Sequence, residues 1–362
     1  MTCIDGVDLA RRARVSRVVG FSVTDMSRYT SAAYRELGGL LRQEREKAGL
    51  RAGELAYKLG WPLTKVSRME HGQRSSSTTD VIQYLVMCGL TVREVAPLIE
   101  FAQMAERRQG YYLSDWRIGG SLQSLIFHES LAEHSIIYEP RLIHGLLQTS
   151  AYARARITAV EPDIGEDKVA SGIRTRMERR QVLHLPNPSR FTFYLHEHAV
   201  RRCMGGSEIM HEQLLHLVLM AGLGHVTVRI VPSPAGEFGG EFHLMKFREH
   251  RPIVYLDNLR LGGLILEDPG HVRSYCELVS RLADVAMDEG ESRSFAAHLA
   301  DVYDRGSRHS VADVVAQEQL QQRDRDELRG GGLAEEQLQQ RIGHGLRGGG
   351  VVEPPTAIYE CE

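Results

Sequence analysis

LGWPLTKVSRMEHG, residues 59–72, sets a Gly, a Trp and a Pro ahead of a short run whose apolar residues recur at helical spacing. Gly60 is placed to close a preceding helix, and Pro62 suits the first position of the next one, where a missing N–H leaves no intrahelical bond unmade. From Pro62 onward Val66 and Met69 fall on one side of a helix, leaving Thr64, Lys65, Arg68 and His71 on the other. A single ten-residue amphipathic helix fits many folds, so its neighbours carry the argument.

Upstream, Leu37, Leu40, Leu41, Arg45 and Ala48 follow the i, i+3, i+4 rule and Gly49 supplies a stop. Ala52–Leu59 forms a second helix with Leu55, Ala56 and Leu59 on one face. Downstream, the polar run SSSTTD (75–80) is a loop from which Thr78 or Thr79 caps a fourth helix ending at Gly89. Thr91-x-x-Glu94 has the form of a capping box for a fifth helix, which Pro97 is expected to bend. Five short helices within 32–108 predict a small all-α domain.

The charge pattern singles out the same end of the chain. The 362 residues carry a formal net charge of −3, yet Ala10–Ser75 holds fourteen Lys/Arg against six Asp/Glu. Local charge rather than the total decides attraction to nucleic acid. Residues 1–31 show no sustained period and read as a basic arm, either a mere extension or a DNA-contacting one.

Past a linker at 109–120 the pattern changes. Helical segments at about 121–134, 142–159 and 167–184 give way to FTFYLH (from 191), VTVRIV (226), EFHLMKF (241) and PIVYLDN (252), short runs rich in β-branched and aromatic residues. A helix over 207–221 separates the first two, and helices at about 270–286 and 290–305 follow the last. The fold class expected is therefore multi-domain: an all-α five-helix domain, then an α+β domain with a small sheet over 121–305, then a tail. In that tail, 306–362, EQLQQR recurs at 318 and 336 and LRGGG at 328 and 346, repeats too short, polar and glycine-bounded to bury a core.

Several function classes find no support. No apolar run approaches the roughly 20 residues a membrane span needs, and the N-terminus has no apolar signal region. The five cysteines (3, 88, 203, 276 and 361) are scattered, with three expected inside helices, which fits reduced thiols and a cytoplasmic location. No G-x-S-x-G, Walker loop or G-x-G-x-x-G occurs. In HEQLLH (211–216) the histidines are five apart and diverge by about 140° around a helix, too far for one zinc ion. His196 and His198 flank Glu197 at a strand end, where alternation would turn both to one face; solvent-facing or hydrogen-bonded histidines are the stronger reading. No enzymatic activity, catalytic residue, metal or cofactor is expected.

With those neighbours in place, ELGGLLRQEREKAGLRAGELAYKLGWPLTKVSRMEHGQR (36–74) resembles the phage-repressor-type, or Xre, helix-turn-helix family, through Leu41, Arg42, Arg45, Gly49, Leu50, Glu54, Leu55, Ala56, Leu59, Gly60, Trp61, Val66, Ser67, Arg68, Glu70 and Gly72. The resemblance implies that the helix from Pro62 enters the major groove of double-stranded DNA. Its first outward positions, often glutamines in that family, are Leu63 and Thr64 here. Leu63 can do no more than touch a thymine methyl, so Thr64, Lys65 and Arg68 are the polar base-reading candidates, Arg68 for guanine unless it pairs with Glu70 or Glu54. Arg51 stands where the family has a capping Thr, removing a cap oxygen but adding a guanidinium at a phosphate position. Arg42, Gln73 and Arg74 are the other phosphate candidates.

YEPRLIHGLLQTSAYARA (from 138), RMERRQVL (176), LHEHAVRRCMGGSEIMHEQLLHL (195) and the stretch through LEDPGHVRSYCELVSRLADVAMDEGES are similar to the DUF5753, or Scr1-type antitoxin-like, domain. That similarity implies a transcription regulator whose second domain senses an unidentified small-molecule effector or binds a small protein partner; a cytoplasmic homodimer is expected, because small reading heads gain affinity by occupying two half-sites about 34 Å apart. The alternative it implies is an antitoxin-like module that sequesters a small DUF397-type protein, with DNA binding serving autoregulation. Glu197, Arg201 and Arg202 match family positions and either line a ligand pocket or form an ion-pair network. Phe238, in the loop PSPAGEFGGEF (232–242), either covers such a site or belongs to an ordinary connection between strands.

Overall fold

The computed structural model describes residues 31–107, 109–114, 121–257 and 262–306; the basic arm, apart from Ser31, and the repeat-bearing tail from 307 lie outside these residues. Five helices come first among the described residues: α1 (Ala32–Lys47), α2 (Ala52–Leu59), α3 (Leu63–Glu70), α4 (Thr78–Met87) and α5 (Val92–Arg107). Each boundary has a local cause. Ser31 caps α1 by accepting from the Tyr34 amide, which starts the helix five residues before its leucine repeat. The α4 cap is Ser77, accepting from the Asp80 amide, rather than Thr78 or Thr79, which are the first helical residues. At α5 half of the expected capping box forms: the Thr91 amide and hydroxyl both donate to Glu94 Oε2 at 2.8 and 2.6 Å, while the Glu94 amide bonds the Thr91 carbonyl instead of the hydroxyl.

α1 and α3 pack so closely that a Cβ on Gly38 would stand 2.4 Å from the Met69 carbonyl oxygen. Leu37, Leu41, Leu55, Val66, Met69, Val81, Tyr84 and Leu85 form the centre of this helical core. Within it Arg45 holds Glu70 through two parallel hydrogen bonds of 2.7 and 2.9 Å, Tyr84 Oη donates to the same carboxylate at 2.7 Å, and Arg45 Nη1 donates to the Leu50 carbonyl at 2.7 Å. A buried ion pair is tolerated only with its remaining donors and acceptors satisfied, the condition met here.

The rest of the described chain up to Ala300 builds a seven-stranded sheet in the order β1-β7-β6-β5-β2-β3-β4, from β1 (Tyr111–Leu113), β2 (His134–Glu139), β3 (Arg190–His196), β4 (Val226–Val231), β5 (Phe242–Lys246), β6 (Ile253–Leu256) and β7 (Leu264–Leu266). β2, β3 and β4 run parallel; the other pairings are antiparallel. The sheet is larger than the small one expected, because β1, β2 and β7 escape the reading by β-rich runs. β2 is buried along Ser135–Tyr138 without alternation, as an interior strand paired on both sides should be, and β1 and β7 have three residues each.

Seven further helices among the described residues surround it: α6 (Ser121–Leu131), α7 (Ser150–Val160), α8 (Glu166–Arg180), α9 (Glu197–Arg201), α10 (Ser207–Met220), α11 (Pro269–Val285) and α12 (Glu289–Gly306). Where one helix over 142–159 was expected, a short 3₁₀ turn (Gly145–Leu147) precedes α7, which Thr149 caps. α11 covers the face bearing Ile136, Tyr138, Tyr194, Phe242, Leu244 and Val254. On the opposite face Tyr255, His243, Ile137 and Phe193 stand in one row across four strands. Of the second compact unit, Asp301–Glu362, the described residues are 301–306, the end of α12.

The helices and the sheet share one core. Met245, Phe247, Ile253, Tyr255 and Ile265 pack in the same apolar cluster as Leu37, Phe101 and Leu125. Residues 111–113 of the expected linker are a sheet strand, pairing with β7. From β1, Tyr112 Oη donates to Glu36 Oε2 at 2.7 Å and lies 2.8 Å from His128 Nε2, while Ser124 Oγ donates to the same Glu36 oxygen at 2.7 Å. Burial opposes ionisation of Glu36, but the hydrogen bonds and His128 hold its carboxyl below the usual range.

Candidate nucleic-acid interface

α2 and α3 meet at a tight turn built by Gly60 in the left-handed region, φ 64°, which releases the chain for Trp61 N to bond the Ala56 carbonyl at 2.9 Å. Pro62 then caps α3 with an extended backbone. Because Val66 and Met69 are inserted beneath, the opposite face is presented outward: Leu63 is 54% exposed, and Thr64, Ser67, Arg68 and His71 are exposed. This eight-residue helix is about 12 Å long, the scale of one major-groove crossing.

The charged candidates divide into held and unheld groups. Arg68 is exposed and has neither Glu70 nor Glu54 as partner: Glu70 belongs to Arg45, and Glu54 Oε2 accepts the Arg51 amide at 2.8 Å. That reciprocal contact gives the start of α2 part of a capping box despite the missing cap oxygen. Arg51, Gln73 and Arg74 are exposed, the first before α2 and the others just past α3, and neither arginine has an acidic partner among the described residues. Lys65 differs from its expected outward role. Its Nζ is 2.6 Å from Asp80 Oδ1 and 3.5 Å from the centre of the Trp61 ring, so it ties α3 to α4 and to the turn. Arg42 likewise pairs with Glu46 at 2.8 Å on the surface of α1.

Two outward residues were missed by the sequence reading. Ser67 lies one turn beyond Leu63 and Thr64, a position helical spacing alone would have found. Tyr57 on α2 is 89% exposed, a large ring left uncovered beside the turn.

The chain matches two family models, a helix-turn-helix domain over residues 36–98 and a domain of unknown function, DUF5753, over 122–298. It joins a helix-turn-helix domain to a DUF5753 domain. No curated protein and no solved structure matches it. Among the described residues no helix is long and apolar enough to cross a membrane.

In the DUF5753 domain the four nominated residues do not form one site. Glu197, opening α9, bonds Arg201 Nε through Oε1 at 2.6 Å and accepts the Ser233 amide through Oε2 at 2.8 Å, and the Arg201 guanidinium lies 4.9 Å from the Phe295 ring centre. This is the ion-pair alternative, and it fastens α9 to the following loop and to α12. Phe238 is buried 6.3 Å from the Tyr138 ring, so it is a core residue and no cover for a site. Arg202 is exposed, and its charge acts on Tyr152. His196 ends β3 and caps α9 through Nδ1 while His198 lies within α9, so strand alternation does not relate the two. His211 and His216 make separate contacts, with the Ala300 carbonyl and with Arg180. Among the described residues no group of three His, Cys, Asp or Glu could hold a metal ion. Cys88 is buried at the end of α4 and Cys276 half-buried in α11, but Cys203 is exposed beyond α9 rather than packed in a helix.

Proposed function

We propose that the protein is a sequence-specific, DNA-binding transcriptional regulator without enzymatic activity, acting in the cytoplasm as a homodimer. The observation that carries the reading is the outward face of α3. Leu63, Thr64, Ser67 and Arg68 project from a helix whose other side is locked into the core, and unpaired Arg51 and Arg74 flank it, as base-reading and phosphate groups should be arranged. Arg68 supplies a guanidinium whose fork matches the O6 and N7 acceptors of guanine, and Thr64 and Ser67 supply short hydroxyls. Lys65 supports this face from behind instead of reading bases.

Dimerisation follows from the size of the head: one eight-residue helix reads few base pairs, and two heads on half-sites about 34 Å apart gain affinity together. The DUF5753 domain governs the head through the core they share. Footprinting on the protein's own promoter region tests the reading. Arg68→Ala is expected to relax preference at one base pair, and a uniform loss over all sequences would remove the base-reading role.

A further inference from the structure

On the sheet face opposite α11, titratable and charged groups gather around a buried imidazole that has no hydrogen bond. His243 is 4% exposed, and neither ring nitrogen has a hydrogen-bond partner; Glu129 Oε1 stands 3.6 Å from Nδ1 but is engaged by Arg179 at 2.5 Å. The His144 ring lies 6.4 Å from that of His243 and 5.5 Å from Phe193, on the same face. Glu139 ends β2, and Arg156 and Arg176 come from the packed helices α7 and α8. Arg176 Nη1 donates to the Gly172 carbonyl at 3.2 Å, where Gly172 also faces Ile157 of α7. Arg156 and Arg176 have no acidic partner in hydrogen-bond or ion-pair range among the described residues. Native proteins rarely leave buried donors and neighbouring like charges uncompensated, and each such group has a reason to be sought.

We propose that this cluster of side chains is a binding site for a small oxyanion, a molecule carrying a phosphate or a carboxylate, which Arg156 and Arg176 grip while the buried His243 imidazole and the Glu139 carboxyl complete its hydrogen bonds. The site deepens the regulatory reading of the DUF5753 domain, and rests on it for its purpose though not for its chemistry. Its position agrees with the rule for open sheets with parallel strands, whose ligands lie outside the carboxyl ends of those strands: Glu139 ends β2, and Arg202, on the chain leaving β3, stands near enough to act on Tyr152 of α7.

Protonation favours an anion as well. Burial, against the opposing pull of Arg156, pushes the Glu139 carboxyl up to about 8, so at neutral pH it is mostly an uncharged donor. Burial brings His243 down to about 4 and holds His144 well below its usual value, leaving both rings neutral. Burial and the charges of Arg156 and Arg179 lower Arg176. Of the acidic groups acting on Glu139, Glu241 is 3.1 Å from Arg141 and Asp257 is exposed at the margin. With Arg179 neutralised by Glu129, two guanidiniums remain for a ligand.

Calorimetric titration of the full chain with inorganic phosphate, and separately with succinate, in chloride buffer of matched ionic strength tests the site and shows which oxyanion it prefers. Saturable binding of at least one is expected, weakened at least tenfold in the double variant Arg156→Gln/Arg176→Gln and unchanged in Arg51→Ala/Arg74→Ala on the DNA face. Without ligand the Gln double variant is expected to melt no lower than the parent chain, since it removes neighbouring like charges. No saturable binding of either anion, or binding the double variant keeps, would overturn the proposal. Operator binding is measured on the same samples, so loss of the DNA reading and loss of the anion site register independently.

Discussion

Arginine and carboxylate meet in both halves of the molecule on different terms. In the helical head Arg45, Glu70 and Tyr84 close on one another inside the core, and every remaining donor of Arg45 that the contacts reveal reaches a partner. In the sheet domain the charge of Arg156 acts on the Glu139 carboxyl, which burial pushes up to about 8, and His243 of β5 is buried with no hydrogen bond. Around Glu70 the buried polar groups of the head are satisfied, although Arg35 Nε and Nη2 of α1 are buried without a hydrogen bond, the guanidinium lying 4.8 Å from the Phe247 ring centre; the sheet domain leaves both nitrogens of the buried His243 ring without one. A surface that reads DNA must be rigid before contact, whereas a recess that receives a ligand is completed by it.

The comparison breaks most decisively at Glu70. Glu70→Ala is expected to cost the head about 3–5 kcal/mol in urea unfolding, because Arg45 is left charged and buried, while the sheet domain's Arg156→Gln/Arg176→Gln costs nothing. An equal loss in both would erase the distinction. Next in size, Arg68→Ala is expected to lose about 1–3 kcal/mol of discrimination at one base pair, read by competition binding on single-base operator variants, with stability unchanged.

His243 sharpens the other side. Its folded-state value of about 4 lies below the 6.5 of a free imidazole, so stability from the neutral ring is complete above pH 6.5 and is lost as the pH falls toward 4. Between pH 6.5 and 5 this group alone is expected to remove about 1–2 kcal/mol. Unfolding of His243→Gln over the same range checks the figure, and an undiminished slope would place the effect elsewhere. Smallest, Arg51→Ala should weaken all DNA sequences alike by about 1 kcal/mol or less and flatten the log-log salt slope by about 0.9.

Much of the head was legible because its signals are local. Gly60 and Pro62 mark the turn, Thr91 and Glu94 reach one another over a single helical turn, and the inward positions Val66 and Met69 follow from spacing. Lys65 was misjudged because Asp80, fifteen residues on, draws it to α4, an attraction no short window contains. β2 was missed for a related reason: HSIIYE lacks alternation because neighbours on both edges and both faces bury it, and those neighbours come from distant strands. The sheet-domain cluster was the least legible part, assembled from β2, β5, α7, α8 and the loop holding His144. Of the nominated residues Arg202 acts on Tyr152 of α7, while Glu197 and Arg201 answer to each other.

β1 lies between the two matched segments, at residues 111–113, yet it zips onto β7 and places Tyr112 against Glu36 of the head and His128 of the sheet domain. A recombination breakpoint anywhere in that interval would strip the sheet of its border or hand a foreign head a tyrosine with no carboxylate to greet. Heads and sheet domains of this design are therefore expected to trade places through evolution only together with that three-residue clasp and its two correspondents, which makes the pair heritable as one piece.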